Sequence, residues 1–480
     1  MRYRDPANRI RLQLLALVLA GAVALPLPAL AELPSLGSQT GGELTATQEV
    51  EIGQRFLAQA RQELTFVHDP EVVAFVRLLG NRVAAQTDFD AYPFQFYVVK
   101  DSRLNAFAVP GGHIFVHSGL IERSDSVSEL AGVLAHEVAH ITQRHMARQV
   151  AASKRSQASS LLLVAAAVLA GMQGHGEAAT GLVAGASAYS QQEMLAYSRS
   201  HEREADRLGV KYLAGAGFNP DGLPRFLQKL QSWSQLQGRA PPPYLSTHPL
   251  TGERIADAKG RASQLDNGSN APLGETAFAR IKARVQAITA DSPEKAFQEL
   301  QERVRSHPED QAARYGLAIA AGRSGRSQQA LDQARALVAD HPETVAYRRT
   351  LAELYLAEGQ TDAAIDEIKA ALERRPGNPD LREALGKTLL AQGKAEQARQ
   401  TLREVTRDFP ERPSGYSALA NALSRLDRPV EAHRSEAEAR WLQGQRTEAL
   451  EQLRLAKRLA RERDSAQLSQ IEARIRELEP

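Results

Sequence analysis

The chain has 480 residues, 43% of them hydrophobic and 24% charged, which excludes wholesale disorder and is too long for one ordinary domain. It contains no cysteine, so disulfides, a thiol nucleophile and thiolate metal ligands are excluded, and a bound metal would have to be held by His, Asp or Glu. The formal net charge is +2, but residues 1–31 carry four arginines and one aspartate, so the remainder stands at −1 and no basic field recommends nucleic acid as a partner.

In chain order, Arg2, Arg4, Arg9 and Arg11 precede an apolar stretch over residues 12–28, and Ala29-Leu30-Ala31 offers a small-x-small cleavage pattern. This reads as a signal peptide cleaved after Ala31. The apolar run is shorter than the roughly 20 residues of a spanning helix, and Pro26 and Pro28 interrupt its end. A signal peptide without a lipid-accepting cysteine predicts a protein of the periplasm or the exterior. Residues 32–45, rich in Gly, Ser, Thr and Pro, read as a flexible mature N-terminus.

From residue 46 to 86 apolar positions recur every three or four residues, which predicts helices. FQFYVV (94–99), NAFAVP (105–110) and HIFVHS (113–118) alternate or are β-branched, and predict a small sheet with Gly111-Gly112 as a tight turn. A long helix is expected over 127–150. Residues 158–190, first strongly apolar and then glycine-rich, suit a buried helical hairpin, or else a mobile lid or membrane-touching loop. They are too short to span a bilayer unaided. Another helix is expected over 191–214, then a Pro-rich loop leading to His248, and a linker over 263–279.

Beyond the linker the sequence repeats. Pro308, Pro342, Pro376 and Pro410 are 34 residues apart, as are Gly325, Gly359 and Gly393, with Asp427 in the fourth place. Ala330, Ala364, Ala398 and Ala432 keep the same register. Such a period is a helix–turn–helix unit: small residues where helices approach, Gly at the turn, Pro opening the next unit. Residues 280–480 therefore read as a tetratricopeptide array, whose concave face ordinarily binds protein segments.

The chemistry-bearing motif is His136-Glu137-Val138-Ala139-His140. Two histidines four residues apart share one helix face and can bind a single ion, while Glu137 can reach a water held there. On an otherwise apolar helix, leaving these groups without a partner would be costly. A third protein ligand is needed. Nine positions from His136, His145 would lie about 180° around a continuous helix, which excludes it, and the metzincin spacing fails at Gln143 and Met146. The later segment SHEREADRLG (200–209) places Glu202 and Asp206 on one face, with Glu204 pointing roughly the opposite way. Glu202 is the expected third ligand and Asp206 the acceptor that fixes a ligand histidine. His113, His117, His175 and His201 have no matching partner spacing and read as structural or solvent-exposed.

With HEVAH, EREAD about sixty residues on, NAFAVPGGHIFVHSGLI and STHPLTGERI on the page, the chain resembles the gluzincin metalloproteases of the CAAX-prenyl-protease and HtpX type. Having a signal peptide and repeats in place of transmembrane helices, it is most similar to the periplasmic branch that assists outer-membrane β-barrel assembly in Gram-negative bacteria. The resemblance implies an α+β zincin-type metalloprotease domain over 46–262, mainly α with a small β-sheet, followed by the α-helical repeat solenoid. It implies one Zn2+ per chain on His136, His140 and Glu202, with Glu137 as the catalytic base. Implied substrates are unfolded or misassembled outer-membrane proteins, docked with the assembly machinery through the repeats. The substrate would add as a strand along Asn105, Ala106, Phe107 and Ala108. In such proteases the loop histidine matching His248 is implicated in occupying the open zinc position; a plain surface histidine is the other reading. A chaperone or adaptor whose protease stays latent is the alternative for the whole chain.

Overall fold

The computed structural model describes residues 44–152, 199–235, 242–265, 274–443, 445–460 and 465–479. The expected signal peptide, almost all of the flexible N-terminus, the 158–190 segment, His175 and the first part of the helix expected over 191–214 lie outside the described residues. Among the described residues no helix is long and apolar enough to cross a membrane.

Helix α1 (Ala46–Glu63) opens on a capping box between Thr45 and Gln48. Helix α2 (Pro70–Ala84) opens on the Asp69 side chain, which accepts from the Val72 N–H, with Pro70 pre-set in the first turn. Strands β1 (Gln95–Val99), β2 (Ala106–Val109) and β3 (His113–His117) follow in sheet order β1-β3-β2. β3 pairs parallel with β1 and antiparallel with β2, and the β2–β3 turn rests on Gly111 and Gly112 at φ 83° and 85°. The period of two gives each face its own partner. Phe107 and Phe115 meet Phe56 of α1, whereas Ile114 and Val116 join Phe96, Val98 and the core around α2 and residues 127–141.

After α3 (Ser118–Arg123) comes α4 (Val127–Thr142), buried from Val127 to Ile141 on every side, which is why it reads as apolar throughout rather than amphipathic. The single helix expected over 127–150 is broken. Arg144 takes φ 50°, and α5 (His145–Ala152) sets off in a new direction. The left-handed residue is non-glycine, and its cost is offset by its side chain, whose Nε donates to buried Glu49 of α1 at 2.8 Å and whose Nη2 donates to the Leu44 carbonyl. Helices α6 (Arg199–Gly215), α7 (Gly222–Gln235), α8 (Tyr244–Thr247) and α9 (Gly252–Ala262) complete this layer. At Gly209 of α6 an added Cβ would lie 3.2 Å from the His136 backbone N, so the missing side chain is what lets α6 lie close along α4.

The linker expected over 263–279 is shorter than that. Helix α10 (Glu275–Thr289) already begins inside it, because Phe278, Ile281 and Val285 supply an apolar face that joins the core formed by α2, the sheet and α4. Phe278 stacks on Phe75 of α2 at 6.0 Å. The same helix carries Arg284, buried, which donates to Asp69 at 2.6 and 2.8 Å, to Tyr315 at 2.9 Å and to Thr350 at 3.0 Å. Among the described residues eleven more helices follow: α11 (Pro293–Ser306), α12 (Gln311–Arg323), α13 (Ser327–Asp340), α14 (Val345–Ala357), α15 (Thr361–Arg374), α16 (Pro379–Ala391), α17 (Ala395–Asp408), α18 (Pro413–Arg425), α19 (Pro429–Leu442), α20 (Arg446–Leu459) and α21 (Ser465–Leu478). Gly325, Gly359, Gly393 and Asp427 sit at φ 78°, 73°, 80° and 56°. Each is followed by an N–H that reaches back five residues, as Arg326 does to Ala321 at 2.8 Å, closing the preceding helix. The periodic alanines are buried at the helix crossings.

Candidate metal centre

Two elements supply the core of the site. α4 presents His136 and His140 one turn apart, and α6 presents Glu202 and Asp206 in the same way, pressed together at Gly209. His140 Nε2 lies 2.9 Å from His136 Nε2 and 3.4 Å from Glu202 Oε1, and His136 Nε2 lies 3.5 Å from Glu202 Oε2. The third element is the loop after α8. His248 Nδ1 lies 3.0 Å from Glu202 Oε1 and 3.4 Å from His136 Nε2. Donor atoms of His136, His140, Glu202 and His248 all fall within 4.8 Å of one another, and all four residues are buried. Exposed only 1%, with its ring stacked on Tyr244 at 4.4 Å, His248 does not fit the plain surface reading.

Asp206 Oδ1 lies 3.0 Å from His136 Nδ1, on the ring side away from the cluster. Arg254, on α9, was not legible as a site residue. Its guanidinium reaches Glu202 at 2.6 Å, Asp206 at 2.7 and 2.8 Å, and the Pro249 carbonyl at 2.8 Å, so one buried cation ties the His248 loop to α6. The only sequence signal was its place in the STHPLTGERI loop.

The electrostatics test whether a cation belongs here. Burial would by itself raise the Glu202 and Asp206 carboxyls, but His248 and Arg254 beside Glu202, and Arg254 and His136 beside Asp206, hold both below the ordinary carboxylate range. Burial acts to lower His136, yet Asp206 and Glu202 push it up to about 9. Burial is the largest influence on Glu137 and raises it; among the described residues neither carboxylate oxygen has a hydrogen-bond partner, and His248 Nε2 stands 3.5 Å from Oε1. Without an ion, the raised His136 and Glu137 offset the buried charge with protons; ligation requires neutral imidazoles, and with all three carboxyls ionised Glu137, Glu202 and Asp206 against Arg254 then carry a formal −2. A divalent cation among two imidazole nitrogens and a carboxylate balances that charge, and the donor types suit one.

His145, excluded as a ligand on the assumption of a continuous helix, stays outside the four-donor cluster. The break at Arg144 nonetheless swings it back so that its Nδ1 lies 2.9 Å from His140 Nδ1. Burial lowers it to about 4, which keeps it neutral. Glu204 does point away from the cluster, and accepts from His145 Nε2 at 3.1 Å. His113 and His117 are buried in β3, and His201 stacks on His145 at 4.4 Å. Among the described residues β2 is an edge strand, and its side chains are buried; Asn105 lies just before it, its carbonyl accepting from the His117 N–H. Ala108, Val109 and His140 line one small cleft together.

Residues 73–262 match the family model described as Peptidase family M48, and residues 315–379 and 355–423 match tetratricopeptide repeat models. The chain is 36% identical over 302 residues to the β-barrel assembly-enhancing protease of Yersinia pestis, covering 61% of this chain and 60% of that one. It is 36% identical to the protein of the same name from Escherichia coli, over 55% of this chain and 54% of that one. The mitochondrial metalloendopeptidase OMA1 of Schizosaccharomyces pombe is 29% identical over 38% of this chain and 50% of its own. The chain thus spans between half and two thirds of the length of these relatives. A likeness to the solved structure of MamA, at 15% identity over 34% of this chain and 95% of that one, has a TM-score of 0.30 and carries no argument. The two motif helices and the convergent His/Glu cluster fall within the region that matches Peptidase family M48, and the regions that match tetratricopeptide repeats follow it.

Proposed function

We propose that this chain is a periplasmic zinc metalloendopeptidase that acts on misfolded or stalled outer-membrane proteins, with its repeats docking clients or the β-barrel assembly machinery. The observation that carries the reading is the buried cluster of His136, His140, Glu202 and His248 with the buried Glu137 carboxylate beside it. The names of the bacterial relatives support the outer-membrane setting. His136, His140 and Glu202 would hold the ion, which when bound supplies a Lewis acid and an acidified water. Asp206 accepts from His136 Nδ1 and keeps its Nε2 directed at the ion. Glu137 takes the proton of the attacking water and delivers it to the leaving amine nitrogen. An extended client strand adds along Asn105 to Ala108, where backbone pairing reads unfolded chain rather than a sequence.

His248 favours a latent state. Its Nδ1 stands among the donors and its Nε2 lies 3.5 Å from Glu137 Oε1, between base and metal position. A client would have to displace it. Proteolysis of an unfolded outer-membrane protein by the mature chain tests both parts. Glu137→Gln should retain metal and lose about 100-fold or more in rate, and His248→Ala should raise it. Unchanged or lower activity of His248→Ala would count against gating. If cells carrying Glu137→Gln kept full outer-membrane integrity, the repeats acting as chaperone or adaptor would be the main function instead.

A further inference from the structure

His140 turns one ring nitrogen to the donor cluster and the other away from it. The outward atom, Nδ1, meets His145 Nδ1 at 2.9 Å, and His145 Nε2 meets Glu204 Oε2 at 3.1 Å. Arg148 Nη1 lies 3.1 Å from the same Glu204 oxygen. His145 is fully buried, with the His201 ring stacked on it at 4.4 Å and 14°. When His140 Nε2 faces a cation, one arrangement of protons satisfies these contacts. The His140 proton sits on Nδ1 and is donated to His145 Nδ1, and the His145 proton sits on Nε2 and is donated to Glu204.

We infer that His145 is a positioning residue of the metal centre, a hydrogen-bond relay that holds the His140 ring in its ligating tautomer and orientation with Glu204 as the anchor. The inference rests on the metal-centre reading above. It gives each ligand histidine its own support: His136 donates directly to the Asp206 carboxylate, and His140 donates to a carboxylate through one intervening imidazole. The support is built by the fold. Arg144 at φ 50° breaks the helix immediately before His145, and the Glu49 contact holds that break, so His145 returns to His140 instead of continuing around α4. The two relays differ in charge next to the ring, which leaves His140 the less strongly polarised ligand of the pair.

Zinc affinity of the mature full-length chain, read by competition with a chromogenic chelator, tests this. His145→Ala should bind zinc about 10- to 100-fold more weakly than the parent. His145→Gln, whose side-chain oxygen can accept from His140 Nδ1–H, should recover part of the loss. A folded His145→Ala chain that binds zinc as tightly as the parent would overturn the inference while leaving the metal centre intact. A parent chain that binds no zinc would overturn the metal-centre reading and the inference with it. Should His145→Ala not fold, the zinc-loaded parent decides the matter through long-range proton–nitrogen correlations of its histidine rings. A proton on His145 Nε2 is expected, and a proton on its Nδ1 would overturn the relay.

Discussion

At the scale of single residues, the convergence of the candidate ligands was readable because it follows helical arithmetic. His136 and His140, and Glu202 and Asp206, are each four apart, and each pair shares a face on its own helix. Arg254 and His145 were not readable, for different reasons. Nothing in a sequence says which of many arginines lies beneath Asp206, since that depends on how α9 packs on α6. His145 was hidden by a helix break formed at Arg144, with no glycine or proline to announce it. Arg254→Met should be severely destabilising in the metal-free chain. It leaves Glu202 and Asp206 buried without their guanidinium, a loss of about 3–5 kcal/mol by the cost of breaking a buried ion pair. Urea denaturation checks this, and a change under about 1 kcal/mol would show that the carboxylates find other partners.

At the scale of elements, the 34-residue register predicted the turns closely because backbone conformation, rather than packing, sets them. Gly325, Gly359, Gly393 and Asp427 all adopt positive φ, and nothing lies within 4 Å of a Cβ placed at any of the three glycines. Substitution at these turns therefore reads backbone cost alone. Asp427→Gly should stabilise the repeats by about 0.5–1 kcal/mol, and Gly359→Ala should destabilise them by about 1–2 kcal/mol. Thermal unfolding followed by circular dichroism measures both; equal and negligible shifts would mean the turns tolerate other conformations. The sheet was also legible from its alternation, but its order was not. That β3 lies between β1 and β2, parallel to one and antiparallel to the other, depends on the crossover through residues 100–105 and not on any local pattern.

At the scale of the whole molecule, the protease layer and the repeats are joined through α10 rather than through a free linker. Arg284 and Arg349, both buried, meet Asp69 and Glu71 at the start of α2, Tyr315 donates to Glu71 at 2.7 Å, and Glu353 closes the cluster. α2 packs in turn on the metal helix, so the first repeats and the metal centre share one supporting element. Arg284→Met should split urea unfolding into two transitions, one for each part; a single transition with an unmoved midpoint would count against the network. The same cluster sets a pH dependence. Burial would raise Asp69 and Glu71, but the guanidinium groups of Arg284 and Arg349 hold both below their ordinary values of 3.8 and 4.5. A depressed folded-state pKa contributes stability that is present above those ordinary values and is lost as pH falls below them. The junction should therefore hold at neutral pH and open at strongly acidic pH, which hydrogen exchange in α2 and α10 would detect. The junction thus places the first repeats and the candidate metal centre on one shared element. The most direct test of that centre is elemental analysis of the mature chain together with casein cleavage before and after chelation. One zinc per chain, with cleavage abolished by the chelator and restored by zinc, is the predicted result. A chain that holds no stoichiometric metal, or that cleaves casein equally well after chelation, would contradict it.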